Sequence, residues 1–343
     1  MPSSISPSSS ARWPGRAAWL AGLAALTLLA AAVYTLWLNP EIRFWKHAIR
    51  IKRAWSQALD QAHAHKVVVG GGSSVAFAVD AERLWRQHRL PVVNAGLHLG
   101  MEPPFLTAFA MKLTRPGDTF VLAMEPYLIT TPFTAPDLAA QTGLALGEPD
   151  LIHASALNGP AHRWVDDLIS LRPGAYHAFT LAGKILLRKP LYRYAPGDVR
   201  PSGWFQTAAR REFPSAVPPP RRLSDAARQL FTRLKNWADT NRVEVVYSLP
   251  WAYTRPEDEP AVRRGNARLL LEVLTLMPVL KDPALGVYPV RDHYADSQLH
   301  LTEPGAAAHS DALAAQLQQR RCWSRAELEA LAGPRAPTIH DGE

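Results

Sequence analysis

Cysteine is nearly missing from this chain: its 343 residues include one, Cys322. A single thiol excludes an intrachain disulfide and any cysteine-rich zinc site, and leaves the compartment open. Both glycine-rich nucleotide signatures, Gly-x-x-x-x-Gly-Lys-Ser/Thr and Gly-x-Gly-x-x-Gly, are also missing, so a glycine turn here carries no nucleotide motif. No internal repeat is found. Acid is in the minority, with 30 Asp and Glu against 38 Lys and Arg for a formal charge of +8. That excess suits anionic headgroups, an acidic polymer or nucleic acid equally well, through clusters such as Arg50-Ile51-Lys52-Arg53 and Arg210-Arg211. Without a recognised nucleic-acid module, nucleic acid is not an expected partner.

Proline is plentiful, at 30 residues, and with 20 glycines it predicts many connections rather than a helical bundle. The length suits one large α/β domain with a sizeable core. One long apolar run stands apart. From Ala17 to Leu38, 22 residues carry no charge, with Trp19 near one end and Tyr34 and Trp37 near the other. As a helix this run spans roughly 30 Å of hydrocarbon, which predicts a transmembrane helix behind a disordered Ser- and Pro-rich tail over residues 1–16. Asn39-Pro40 ends the run where a signal peptide would carry a small-residue cleavage site. Arg12 and Arg16 precede it, whereas Arg43, Lys46, Arg50, Lys52 and Arg53 follow, so charge alone points the main domain toward the cytoplasm.

Residues 41–65 read as a basic juxtamembrane helix, with Ile42, Trp45, Ile49, Lys52 and Trp55 near helical spacing. It either lies on the membrane surface or leads into the first strand. Beyond it, Val67 to Val69, Val92-Val93-Asn94, Thr119 to Met124 and Val243 to Ser248 read as buried strands. Helices near 79–88, 104–113, 224–240 and 303–320 alternate with them. That alternation predicts a doubly wound, mainly parallel sheet over residues 66–322, followed by a peripheral tail over 323–343. An insertion over about 132–222 interrupts the pattern. Its aromatic and basic residues, Tyr192-Arg193-Tyr194 and Trp204-Phe205, either stack on sugar rings or cover the sheet.

Chemistry concentrates at Gly70-Gly71-Gly72-Ser73-Ser74, where a valine strand stops in glycines and a serine at the carboxyl end of a central strand. Far downstream, Asp296-Ser297-Gln298-Leu299-His300 supplies a carboxylate and an imidazole, completing a nucleophile, base and orienter set. Structural readings stand beside these. A glycine turn after a strand is common, and Asp296 and His300 would serve equally to open the last helix, where Thr302 is a plausible N-cap. His63 and His65, or Asp292-His293 near Asp296 and His300, bring no three converging ligands, so no metal and no cofactor is expected.

Four blocks resemble those of the SGNH (GDSL-like) hydrolase superfamily, in its membrane-anchored branch associated with cell-surface polymer acylation. They are Gly71-Gly72-Ser73-Ser74 followed by Val79-Asp80, Asn94-Ala95-Gly96-Leu97-His98-Leu99-Gly100, Pro116-Gly117-Asp118 with its strand ending in Glu125-Pro126-Tyr127, and Asp296 to Gly305. The resemblance implies a flavodoxin-like three-layer fold, with Ser73 as nucleophile, His300 as base, Asp296 as its partner, and the Ser73 and Gly96 amides as oxyanion donors. Ser74 and His98 are expected to line the pocket or support its backbone, Trp251 to form another rim after the Val243 strand, and Glu125 and Tyr127, at the end of the third block, to contact substrate. Glu125 departs from the family pattern, which has an asparagine donor there, and Asp296 and His300 stand one residue further apart than usual. The implied protein is a serine acyl-ester hydrolase or O-acyltransferase acting on surface carbohydrate. It would face the periplasm or exterior from the inner membrane, with a membrane-bound O-acyltransferase as a possible partner. The alternative is a non-catalytic scaffold that binds glycan through Trp204, Tyr192, Tyr194 and Arg193 during polysaccharide export.

Overall fold

The computed structural model describes residues 13–133, 137–153, 175–207, 213 and 219–334. The tail over residues 1–12, Arg210-Arg211, much of the expected insertion and the last nine residues, 335–343, lie outside them. Helix α1, Trp13–Val33, continues as one widened turn over Tyr34–Leu38. Residues Gly15–Leu38 are long and apolar enough to cross a membrane, and Leu20, Leu26 and Leu29 lie exposed along them. Asn39 then caps α2, Pro40–Ala62, by accepting from the Glu41 N–H at 3.0 Å, with Pro40 pre-set for the first turn.

Helix α2 leads into the first strand and is part of the core. Ile42, Trp45, Ala48, Ile49 and Leu59 are buried against the domain, because their spacing makes one continuous apolar stripe. The chain then alternates β1 (Val67–Gly71), α3 (Ser73–Ala78), α4 (Ala81–His88), β2 (Val92–Asn94), α5 (Glu102–Lys112) and β3 (Thr119–Ala123). Short helices α6 (Pro126–Thr130), α7 (Asp137–Leu146), α8 (Pro149–His153) and α9 (Ala175–Leu186) follow, then α10 (Asp225–Asn241), β4 (Glu244–Tyr247), α11 (Glu259–Val273), α12 (Glu303–Gln319) and α13 (Arg325–Ala332).

The strands form a parallel sheet in the order β2-β1-β3-β4, with Val68 opposite Val93 and Phe120, and Val121 opposite Val246. A single parallel bridge, Tyr247 to Val279, continues the sheet beyond β4. Strand residues alternate between two cores. Val68, Phe120, Leu122, Val245 and Tyr247 meet α2, α5, α10 and α11 on one face. Val69, Val121 and Val246 meet Leu84 of α4 and Leu313 of α12 on the other. Both faces are thus covered by helices, which explains the near-continuous apolar strands. The residues after Cys322 are not a peripheral tail. Trp323 and Leu328 are buried in the larger core, and Ser324 and Glu327 close a reciprocal cap at the start of α13.

The sheet's two ends differ in chemistry. At its amino-terminal end, buried Asp118 accepts from the Lys66 N–H at 3.0 Å and pairs with Lys66 Nζ at 2.9 Å, tying the start of β1 to the turn before β3. The Pro116-Gly117-Asp118 turn is therefore a brace on the side away from the site. At the carboxyl end the order reverses between β2 and β3 around β1, where doubly wound sheets leave a crevice.

Candidate active site

Ser73 opens α3 directly behind β1, with Gly72 before it in extended backbone. Neither Gly71 nor Gly72 has the positive φ reserved for glycine. Space explains them: a Cβ on Gly71 would overlap the Ala123 carbonyl of β3, and one on Gly72 would overlap the Glu125 carboxylate. Glu125 stands behind the turn, its Oε1 accepting from the Ser74 N–H at 2.9 Å and its Oε2 from the Gly72 N–H at 3.2 Å. Burial pushes its carboxyl up, against the opposing pull of the Ser74 and Gly72 hydrogen bonds. Glu125 is thus no substrate ligand but a clamp on either side of the serine, and Ser74, fully buried, belongs to the clamp rather than to the cavity. The Ser73 N–H, first of its helix, has no acceptor among the described residues.

Asp296 and His300 meet in a tight loop between β4's extension and α12. An antiparallel bridge from Tyr294 to Leu301 closes it, and Ala295 N–H donates to the His300 carbonyl at 2.8 Å. Asp296 Oδ1 lies 2.7 Å from His300 Nδ1. Its other oxygen accepts from Arg193 Nε at 2.8 Å and from the Tyr194 hydroxyl at 3.2 Å. Burial would raise the Asp296 carboxyl, but the His300 hydrogen bond, the His300 and Arg193 charges and Tyr194 outweigh it and hold it below the usual range. With Nδ1 engaged, His300 leaves Nε2 as its acceptor. The ring stacks on Phe77 at 4.2 Å, and Phe77 in turn packs on Tyr194 and Phe205. Such aromatic pairs contribute about 0.5–1.5 kcal/mol each beyond their buried area.

Ser73, His98 and His300, from three distant parts of the chain, line one cavity of about 340 Å³ with Glu41, Tyr192 and Arg193. The Ser73 hydroxyl is buried and makes no hydrogen bond, to His300 or to any other described residue. Hydrogen bonds between a nucleophile and its base are often unmade before substrate binds and form in the complex. His98 Nδ1 accepts from the Gly100 N–H at 3.0 Å, which leaves its Nε2 as the protonated nitrogen. Burial first, then the nearby His300, pushes its ring down to about 4, so at neutral pH it is an uncharged N–H donor on the cavity wall.

Gly96 does not serve as expected. Its N–H donates to Asn94 Oδ1 at 3.0 Å, and the residue packs against the first turns of α3. Asn94 is the hub: its amide nitrogen donates to the carbonyls of Val75 at 3.0 Å, Ala76 at 3.2 Å and Val79 at 2.8 Å, pinning the serine helix. Lys52, fully buried on α2, donates to Asn94 O at 3.1 Å, to Asn94 Oδ1 at 3.0 Å and to the Gly203 carbonyl.

Other expected residues stand elsewhere. Tyr127 is exposed and lines no part of the cavity. Trp251 donates to Asp282 at 3.0 Å and stacks on Tyr288, away from Ser73. Trp204 is buried, donating to the Phe77 carbonyl at 2.9 Å, so its face is closed to sugar. His63 packs on Trp85 and His293 bonds to the Tyr288 hydroxyl, so these two histidines do not converge. Among the described residues no group of His, Cys, Asp and Glu is arranged to hold a metal ion.

Glu41, Lys52 and the Arg193–Tyr194 support of Asp296 escape sequence reading. Asn94 sits in a recognised block, but nothing in that block marks it as the hub. No local pattern marks contacts made across a hundred residues.

No protein-family model, no curated protein and no solved structure matches the chain.

Proposed function

We propose that this protein is a membrane-tethered serine acyl-ester hydrolase or acyltransferase of SGNH type, with Ser73 as its nucleophile. The observation that carries the reading is one cavity holding a buried hydroxyl without a partner and an imidazole whose other nitrogen is fixed on a carboxylate. In the reaction, His300 Nε2 takes the Ser73 proton as Oγ bonds to the ester carbon. It then returns that proton to the departing alkoxide as the ester C–O bond breaks, leaving an acyl-serine. Asp296 stabilises the imidazolium between these steps. The Ser73 N–H and the His98 Nε2–H serve as oxyanion donors, the latter replacing Gly96. Donors of this kind contribute roughly 3–4 kcal/mol each.

Water resolving the acyl-serine gives a hydrolase, and a sugar hydroxyl gives a transferase. Transfer to a surface carbohydrate outside the inner membrane, beside a membrane-bound acyl donor, is the reading preferred here. The sheet order, shared with flavodoxin-like sheets, supports the assignment. The scaffold alternative loses support because Trp204 is buried and lines neither cavity.

A fluorophosphonate probe tests the proposal on the full-length chain in detergent. Labelling should occur at Ser73, and Ser73→Ala should abolish both labelling and p-nitrophenyl acetate turnover while the melting curve stays in place. Undiminished turnover by Ser73→Ala would falsify it.

A further inference from the structure

A second and larger cavity, of about 620 Å³, opens where α1 ends and α2 begins. Leu36 and Trp37, the last turn of the apolar helix, form one wall, so the cavity straddles the level at which hydrocarbon would give way to headgroups. Arg43, Lys46, His47 and Arg50 of α2 form the opposite wall. Their spacing of three, four and seven puts them on one helix face, the face left over once Ile42, Trp45 and Ile49 are buried. Arg43 and Arg50 are exposed, whereas Lys46 and His47 are half-buried.

Among the described residues no Asp or Glu lines this cavity, and no carboxylate pairs with Arg43, Lys46 or Arg50. Elsewhere on the described surface basic side chains commonly have such partners, as with Arg53 and Glu148, Arg83 and Asp311, or Lys112 and Glu148. Burial and the neighbouring Arg50 both disfavour charge on Lys46. Three cations held together without an anion cost repulsion, and an incoming anion relieves it. A carboxylate on this chain would have relieved it equally, yet Glu41, the acid nearest to Arg43 in the sequence, lines the neighbouring cavity instead.

We propose that this cavity seats the phosphate of an anionic membrane-lipid headgroup, with Arg43, Lys46 and Arg50 as its ligands and Trp37 against the lipid's glycerol and chain. The apolar wall and its place at the end of a membrane-length helix favour a lipid over free phosphate. Tyr192 and Tyr194 line both this cavity and the one holding Ser73, so a seated lipid lies one wall from the candidate active site. The site stands independently of the chemistry assigned to Ser73.

The test uses the full-length chain in a neutral detergent, titrated with dioleoylphosphatidylglycerol or dioleoylphosphatidylcholine and read by native mass spectrometry. One phosphatidylglycerol should bind saturably and at least tenfold more tightly than phosphatidylcholine. Arg43→Gln/Arg50→Gln, both at exposed positions, should lose roughly tenfold or more of that preference. Ser73→Ala should keep it, which separates this site from the catalytic proposal. Equal binding of the two lipids, or a preference that survives in the double variant, would overturn the proposal. So would full displacement of the lipid by millimolar inorganic phosphate, which would mark a free-phosphate site.

Discussion

Asp296→Asn is the most informative single change, because the neighbours of Asp296 dictate how an amide would sit there. One carboxylate oxygen faces two donors, Arg193 Nε and the Tyr194 hydroxyl, and the other faces His300 Nδ1. An asparagine must give its only oxygen to the donor pair, since turning its NH₂ toward a guanidinium would oppose like groups. The NH₂ then faces His300 and forces Nδ1 to accept, so the ring's proton moves to Nε2, the nitrogen that accepts from Ser73 in the proposed reaction. The base is present but in the wrong tautomer. A fall in kcat of about 10⁴-fold follows, or about 5.5 kcal/mol in the barrier.

Stopped-flow or plate assays of p-nitrophenyl acetate hydrolysis would measure that fall, with thermal unfolding as the control on folding. Adding Arg193→Met should restore part of the lost rate, because the amide is then free to turn its oxygen toward His300. An Asp296→Asn protein with more than a tenth of the parent kcat, or a double variant no faster than the single one, would refute the reasoning about orientation.

Three further outcomes are expected. Glu125→Gln keeps the shape of the clamp but gives up one of its two N–H bonds, so stability should fall by about 1.5–3 kcal/mol and kcat should fall with it. Unchanged denaturant curves and rates would remove the clamp. The buried rings of His98 and His309 are both pushed down to about 4, His98 by burial and the nearby His300, His309 by burial against an opposing Ala78 hydrogen bond. Their contribution is complete above the unfolded-state value near 6.5 and is lost as pH falls toward 4, roughly 3 kcal/mol for each buried ring. Urea unfolding across that window should show a shallower slope for His309→Gln than for the parent, and an identical slope would contradict the assignment. Lys52, held down by burial, should make stability rise with pH through the alkaline range up to its unfolded value near 10.4, and Lys52→Met should flatten that rise. The same variant leaves the Asn94 and Gly203 carbonyls without their donor, so a protein stabilised at pH 7 would show that the lysine is dispensable to the serine helix.

Much of the fold was written in local pattern. The valine strand Val67 to Val69 needs both faces buried, and the structure places it at the centre of the sheet with a core on each side. Helix α12 and α10 begin within a residue or two of the expected positions, because Pro304 and the Ser224 cap fix where a helix can start. The tail after Cys322 reads as peripheral because Trp323 and Leu328, the residues it buries in the larger core, are too few to announce a buried face. The glycines of the serine turn differ. A glycine turn after a strand is common and says nothing of its neighbours, whereas close packing against Ala123 and Glu125 accounts for Gly71 and Gly72.

By itself the sequence determined the elements with a period: an apolar helix long enough for a bilayer, parallel strands hydrophobic throughout, and capped helices between them. Hydrophobic spacing and cap chemistry act within a few residues, so they are visible in one dimension. Only the tertiary structure decided which polar groups meet. It set Arg193 and Tyr194 on Asp296, Lys52 on Asn94, Glu125 behind Ser73, and Asn94 on the amide of Gly96. A hydrogen bond depends on ångström-scale placement of chain segments far apart in sequence, and no local pattern encodes that placement.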